Sequence, residues 1–205
     1  MGVRSLSTAS ISNGVKRSKF WDQSAIVTSY ESIATANGTG SSGVITFSSI
    51  PDTYKHLQIR SINRTTTATG DGDPFNIRIN GDTGTNYAYH MLQGYVGATT
   101  GVNTGAASSQ TSILSGYSAG ANNSDYMFAP FVIDLLDYQD TNKFKTIRNL
   151  QGFDANSDGS GNRYYAIRFF SGLWQSTSAV TSITITAPNG NWATNSSFAL
   201  YGIKG

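Results

Sequence analysis

The stretch Phe75-Asn-Ile-Arg-Ile-Asn-Gly81 alternates apolar and polar side chains and then breaks at Asn-Gly. Successive side chains of a strand point to opposite faces, so Phe75, Ile77 and Ile79 line one face while Asn76, Arg78 and Asn80 line the other. A helix would scatter the same three apolar residues around its surface. Asn80-Gly81 then supplies two residues that tolerate positive φ, which is turn chemistry. The segment is a half-buried strand followed by a tight turn.

The same period recurs on both sides of it. Ile45 and Phe47 alternate with Val44, Thr46 and Ser48, until Ile50-Pro51 ends the run. Leu57, Ile59 and Ser61 alternate with Gln58 and Arg60; Ile183 and Ile185 alternate with Thr184 and Thr186; Phe198, Leu200 and Gly202 form one side of a last strand. Residues 125–136 are apolar enough for a central strand buried on both faces. Phe144, Thr146 and Arg148, with Ile147 offset, indicate another. Tyr165, Ile167 and Phe169 alternate with Tyr164, Ala166, Arg168 and Phe170, which predicts a strand with both faces partly buried. Tyr87 to Leu92 is the one candidate helical turn, and 97–111 and 154–162 read as long loops. About ten short strands with turn signals between them predict an all-β fold. The expected architecture is an antiparallel, jelly-roll-like β-sandwich over residues 26–205.

Composition agrees. Charged residues are only 13% of the 205, and the deficit is filled by small polar residues and 22 glycines, while aromatics reach 12%. That combination supplies large apolar area together with many turns, unlike the charged, aromatic-poor signature of disorder. The chain has no cysteine, which excludes disulfides, cysteine zinc sites and thiol catalysis. No apolar run approaches the ~18–20 residues of a membrane span, so no membrane role is expected. The N-terminus lacks a continuous apolar core and is not expected to be a signal peptide.

Charge is unevenly placed. Residues 1–25 carry Arg4, Lys16, Arg17 and Lys19 against Asp22, a net of +3, and the remainder is close to neutral. The whole-chain net of +2 is too small to predict nucleic-acid binding. A Ser-rich basic leader holding the adjacent aromatics Phe20 and Trp21 predicts an extended arm that docks on something else.

Several stretches resemble short virion structural proteins of tailed phages: SYESIATANGTGSSGVITFSSIPDTYKHLQIR (29–60), NGDTGTNYAYHMLQG (80–94), DLLDYQDTNKFKTIRNLQGFD (134–154) and SSFALYGIKG (196–205). The opening STASISNGVKRSKFWDQSA (7–25) looks like the attachment end of such proteins. The resemblance implies a compartment, the virion, and brings no activity with it. It leaves open whether the protein sits on the head or the tail.

Candidate chemistry is sparse. The chain has one glutamate, Glu31, and two histidines, His56 and His90, with no HExxH and no GxSxG. Asp134, Asp137 and Asp140 cluster where turn-forming Asp is ordinary. Catalysis is not expected, and neither is a cofactor. Asp154, Asn156 and Asp158, followed by Gly159, match the first half of a calcium loop, but Tyr165 stands where the bidentate Glu belongs, so this metal candidate is weak. Asp71-Gly-Asp73 is weaker still. Among aromatics, Trp174 follows an apolar strand and reads as core. Trp192, in a loop beside Asn191, is the more credible glycan or partner contact, with Tyr117 beside it as a candidate; Tyr126 is a further one.

The expected function is a non-enzymatic phage structural protein, a capsid decoration, cement or head-fibre module. Residues 1–25 dock it to other virion proteins, and it is expected to be a homo-oligomer, a trimer by analogy. The alternatives are a receptor-binding tail-fibre protein touching host glycan through 97–111 and 189–195 and, behind it, a polysaccharide depolymerase.

Overall fold

The computed structural model describes residues 29–69, 72–96, 100–123, 126–154 and 165–205. The expected arm, residues 1–25, lies outside them. The described residues hold twelve strands and no helix: β1 (Tyr30–Asn37), β2 (Val44–Phe47), β3 (His56–Asn63), β4 (Asp73–Ile79), β5 (Tyr87–Val96), β6 (Thr100–Gln110), β7 (Ile113–Ser118), β8 (Ala129–Leu135), β9 (Lys145–Phe153), β10 (Tyr165–Trp174), β11 (Ile183–Thr186) and β12 (Ser197–Ile203). They form an eight-stranded sheet, β1-β12-β3-β8-β9-β10-β5-β6, and a four-stranded sheet, β2-β11-β4-β7. Every neighbouring pair is antiparallel.

Removing the hairpins β5–β6 and β9–β10 leaves two four-stranded sheets, β1-β12-β3-β8 and β2-β11-β4-β7, between which the chain keeps crossing. That is the double Greek-key order of a jelly roll. The two hairpins are insertions that lengthen one sheet to eight strands.

The core lies between the sheets. Ile45, Phe47, Leu57, Ile59, Phe75, Ile77, Ile79, Phe131, Ile133, Leu135, Ile183, Ile185, Phe198 and Leu200 are all buried there, on the faces that the alternation assigns to them. Each such side chain contributes roughly 1.5–3 kcal/mol on leaving water.

Asn80 (φ 51°) and Gly81 (φ 66°) form the expected tight turn, with the Asp82 N–H donating to the Ile79 carbonyl at 3.0 Å. Gly84 does not take positive φ. The turn does not close a hairpin, because β4 and β5 belong to different sheets. Side chains hold the crossing instead. Asn80 Oδ1 accepts from the Thr181 and Ser182 N–H groups at 2.8 and 3.1 Å, and the Tyr87 hydroxyl donates to the Ile79 and Asp82 carbonyls, each at 3.1 Å. Asp82 Oδ2 accepts from the Trp174 indole at 2.7 Å, and that bond, with those from Asn86 and Gly84, holds its carboxyl below the ordinary range.

Five expectations are corrected. Tyr87 to Leu92 is strand rather than helical turn, and most of 97–111 is the strand β6. The β8 strand is buried on one face only, with Pro130 and Val132 outward. In β9 the inward residue is Lys145, not Phe144; its ammonium, which burial pushes below the ordinary lysine value, donates to the carbonyls of Asp140, Lys143 and Thr177. In β10 the inward residues are Ala166, Arg168 and Phe170, while Ile167 and Phe169 face outward.

Two of the motif stretches, 29–60 and 196–205, meet on β1, β12 and β3. The Tyr54 ring covers Gly202 so closely that a Cβ there would collide with it. Glycine at 202 is what lets the ring lie this close to the strand. The Tyr54 hydroxyl donates to Glu31 at 2.9 Å, and Lys204 pairs with the same carboxylate. Arg60 sits over the rings of Tyr30 and Tyr201, at 5.3 and 5.5 Å from their centroids.

Candidate functional site

The docking residues Arg4, Lys16, Arg17, Lys19, Phe20 and Trp21 fall outside the described residues, as do Asn156 and Asp158 of the weak calcium candidate. Asp154 is exposed at the end of β9. Among the described residues no three His, Asp or Glu side chains converge to hold a metal.

The aromatic contact candidates are placed differently from expectation. Trp192 is 0% exposed, with its ring edge-on to Phe198 (centroids 4.9 Å apart) and Phe75 (6.1 Å). It is a core residue and cannot stack on a sugar. The reason is local: Thr65 bridges to Trp192, and the Trp192 N–H donates to the Ser42 carbonyl, which turns the indole inward. Asn191 is half-buried and tied into the same junction. Its backbone N–H donates to Thr66 Oγ1 at 3.1 Å and its side-chain amide to the Gly40 carbonyl at 3.2 Å. Tyr117 is half-buried, with the Arg168 guanidinium 4.4 Å from its ring centroid. Tyr126 is almost wholly exposed. Trp174 is core, as expected.

The acidic cluster is an ion-pair hub. Asp137 lies 3.1 Å from Lys55 and 2.6 Å from Lys143, and Lys143 also reaches Asp140 at 3.2 Å. His56 Nδ1 accepts from the Asp137 backbone N–H at 3.0 Å. The lysine hydrogen bonds, Lys143 first and then Lys55, hold the Asp137 carboxyl down to about 2. A depressed carboxylate contributes stability that is fully present above its unfolded value and is lost as pH falls through the folded one. Thermal midpoints measured from about pH 5 down to about pH 2 should therefore fall less steeply for Asp137→Asn than for the wild type. Asn suits the site sterically, because Asp137 sits at φ 47°.

A different feature, not foreseen from the sequence, dominates the outer face of the eight-stranded sheet. Val132, Leu150, Phe169 and Leu92 stand side by side across β8, β9, β10 and β5, and all are exposed. In the next row, Ile62 and Pro130 pair across β3 and β8, and Gly152, Ile167, Gly94 and Val102 are in register across β9, β10, β5 and β6. Ile167 is 71% exposed and Val102 76%. A polar row borders the apolar ones: Gln58, Asp134, Arg148, Ser171 and His90. The register shows this surface; the alternation alone could not, because apolar residues on both sides of β10 leave the inward face undecided.

At one end of this face a largely apolar cavity of about 810 Å³ opens among Gly94, Tyr95, Val102, Gly152, Phe153 and Ile167. Behind it, on the inner side, Arg168 is 1% exposed and donates from Nε to Gln93 at 2.8 Å, with the Phe153 ring 5.6 Å away. The outward apolar rows thus lie over a polar inner cluster, which is the reverse of the usual arrangement.

Comparison with known proteins adds no relative, since no family model, no curated protein and no solved structure matches this chain.

Proposed function

We propose that the protein is a non-enzymatic structural component of a virus particle, a decoration, cement or head-fibre module docked through residues 1–25. The observation that carries this reading is the apolar outer face of the long sheet. A sandwich already buries one face of each sheet, and a second apolar face of this size marks a surface that meets a partner. A jelly roll so equipped is an assembly module, and jelly rolls recur in viral capsid proteins, although the fold alone does not assign a role. The resemblance of 29–60, 80–94, 134–154 and 196–205 to tailed-phage virion proteins points the same way. A glycan-binding role has less behind it, because its foremost contact, Trp192, is buried between the sheets.

The test is incorporation. A chain lacking residues 1–25 keeps every strand found among the described residues. It should fold and yet be absent from purified particles, measured as copies per particle against the full chain. Full incorporation of the truncated chain refutes the docking role.

A further inference from the structure

We infer that the outer face of the eight-stranded sheet, from Val132 on β8 to Val102 on β6, is the contact surface for a second copy of this chain. The inference deepens the assembly reading above and rests on it for its motive, but its test is independent.

Ile62, Leu92, Val96, Val102, Val132, Leu150, Ile167 and Phe169 are between 37% and 76% exposed. Taking about 150–200 Å² for a whole residue of this kind, they leave roughly 700 Å² of apolar surface, above the largest patch of a typical monomer and close to one partner's share of a stable interface.

From Thr83 to Ser124 the sequence contains no Lys, Arg, Asp or Glu, and that run includes both strands of the β5–β6 wing. β6 is the sheet edge and has no buried residue along its length. Natural edges are normally guarded by charge or proline, and this one has neither. An uncharged surface selects an uncharged partner. The leader 1–25, at net +3, finds no acidic counterpart on the wing, whereas the same face on another copy matches it.

Within the row Gly152, Ile167, Gly94 and Val102, the side chains on β10 and β6 form ridges and the glycines on β9 and β5 form the grooves beside them. Strands lie about 4.8 Å apart, so the ridges repeat at about 10 Å with a groove of the same period. Such a surface is self-complementary: turned over about a two-fold axis lying between the faces, each copy seats its ridges in the other's grooves. The row Gln58, Asp134, Arg148 and His90 then forms part of a polar rim.

Gly94 offers a test that leaves the monomer intact. A Cβ built there meets nothing within 4 Å, and its φ is ordinary for a strand, so Gly94→Val should not disturb the fold. It fills the groove. Ile167→Glu replaces an exposed ridge and should also leave the sandwich folded. Sedimentation equilibrium of the full chain should show a self-associating wild type. Both variants should keep its thermal midpoint measured at monomer concentrations, and each should weaken association by ~30-fold or more. A wild type that stays monomeric, or an oligomer untouched by both variants, overturns the inference. So does an oligomer that dissociates only when residues 1–28 are deleted, which would assign the face to the leader. A chain that associates through this face but never enters particles refutes the virion role instead, and leaves this inference standing.

Discussion

Trp192→Ala should lower stability by ~3–5 kcal/mol, the range for removing a large aromatic from a packed core. For a domain of this size each kcal/mol moves the thermal midpoint by ~2–4 °C, so the expected fall is on the order of 10 °C. The indole is wholly buried, and its neighbours Phe75 and Phe198 come from different sheets. The lost volume therefore sits where the layers meet and cannot be refilled by a surface side chain. Trp192→Phe separates two contributions. The indole N–H is buried without an acceptor among the described residues, and an unpaired buried donor costs about 1–3 kcal/mol. Phenylalanine removes that donor while keeping most of the ring packing, so its loss should be well below that of alanine. Thermal melts of the three proteins decide it. An alanine variant that melts like the wild type would show that the ring does not join the sheets, and would restore Trp192 as a candidate ligand contact.

What the sequence made legible depended on which faces are apolar. In β2, β4, β11 and β12 a single face is buried, and alternation alone placed Ile45, Phe47, Phe75, Ile77, Ile79, Ile183, Ile185, Phe198 and Leu200 on it. In β10 that contrast vanishes. Ile167 and Phe169 face outward, while Arg168 lies inward among Gln93, Tyr117 and Phe153. A pattern reading cannot foresee an arginine satisfied inside, nor two large apolar residues left outside. In β6 the sequence Thr-Gly-Val-Asn-Thr-Gly-Ala-Ala-Ser-Ser-Gln has almost no hydrophobic contrast, because no residue of the strand is buried, and it therefore read as a loop. The sheet pairing of β6 comes from backbone hydrogen bonds to β5, which leave no trace in side-chain period.

The places where pattern reading failed coincide with the surface that carries the functional argument. A strand is hard to phase when both of its faces are apolar, and a strand is hard to detect when neither face is buried. Both conditions arise on the inserted hairpins β5–β6 and β9–β10, the parts added to the eight-stranded jelly-roll frame. The frame needs only a core, whereas the insertions extend one sheet past it and present the rows of Leu150, Phe169, Leu92, Ile167 and Val102 to whatever lies outside. Trp192 failed for another reason: the Asn-Gly-Asn-Trp composition of its loop describes the backbone and carries no information on where the indole turns.

Arg64→Met should be the second large effect, ~3–5 kcal/mol. Arg64 is only 7% exposed, and its guanidinium donates to three backbone carbonyls: Met127 at 3.1 Å, Ala121 at 3.0 Å and Asn123 at 2.9 Å. It ties the described residues between β7 and β8 to the sandwich through their carbonyls. Methionine has similar length and no donor, so it keeps the stem packing and deprives those carbonyls of their partner. A buried acceptor left unsatisfied costs about 1–3 kcal/mol, and water entering the segment recovers part of that, which sets the expected total. Arg64→Lys should fall between the two, because an ammonium is a single point of donation and cannot reproduce the planar fork that reaches separate carbonyls. The backbone of Arg64 is held independently, by Ser196 Oγ on its N–H and by the Ala193 N–H on its carbonyl, so the substitution isolates the side chain. Urea unfolding of the three proteins gives the ranking, and limited proteolysis of the native states locates the damage, which should appear as new cleavage between Gly120 and Met127. If the methionine variant unfolds within ~1 kcal/mol of the wild type, the guanidinium is not what holds that segment to the sandwich.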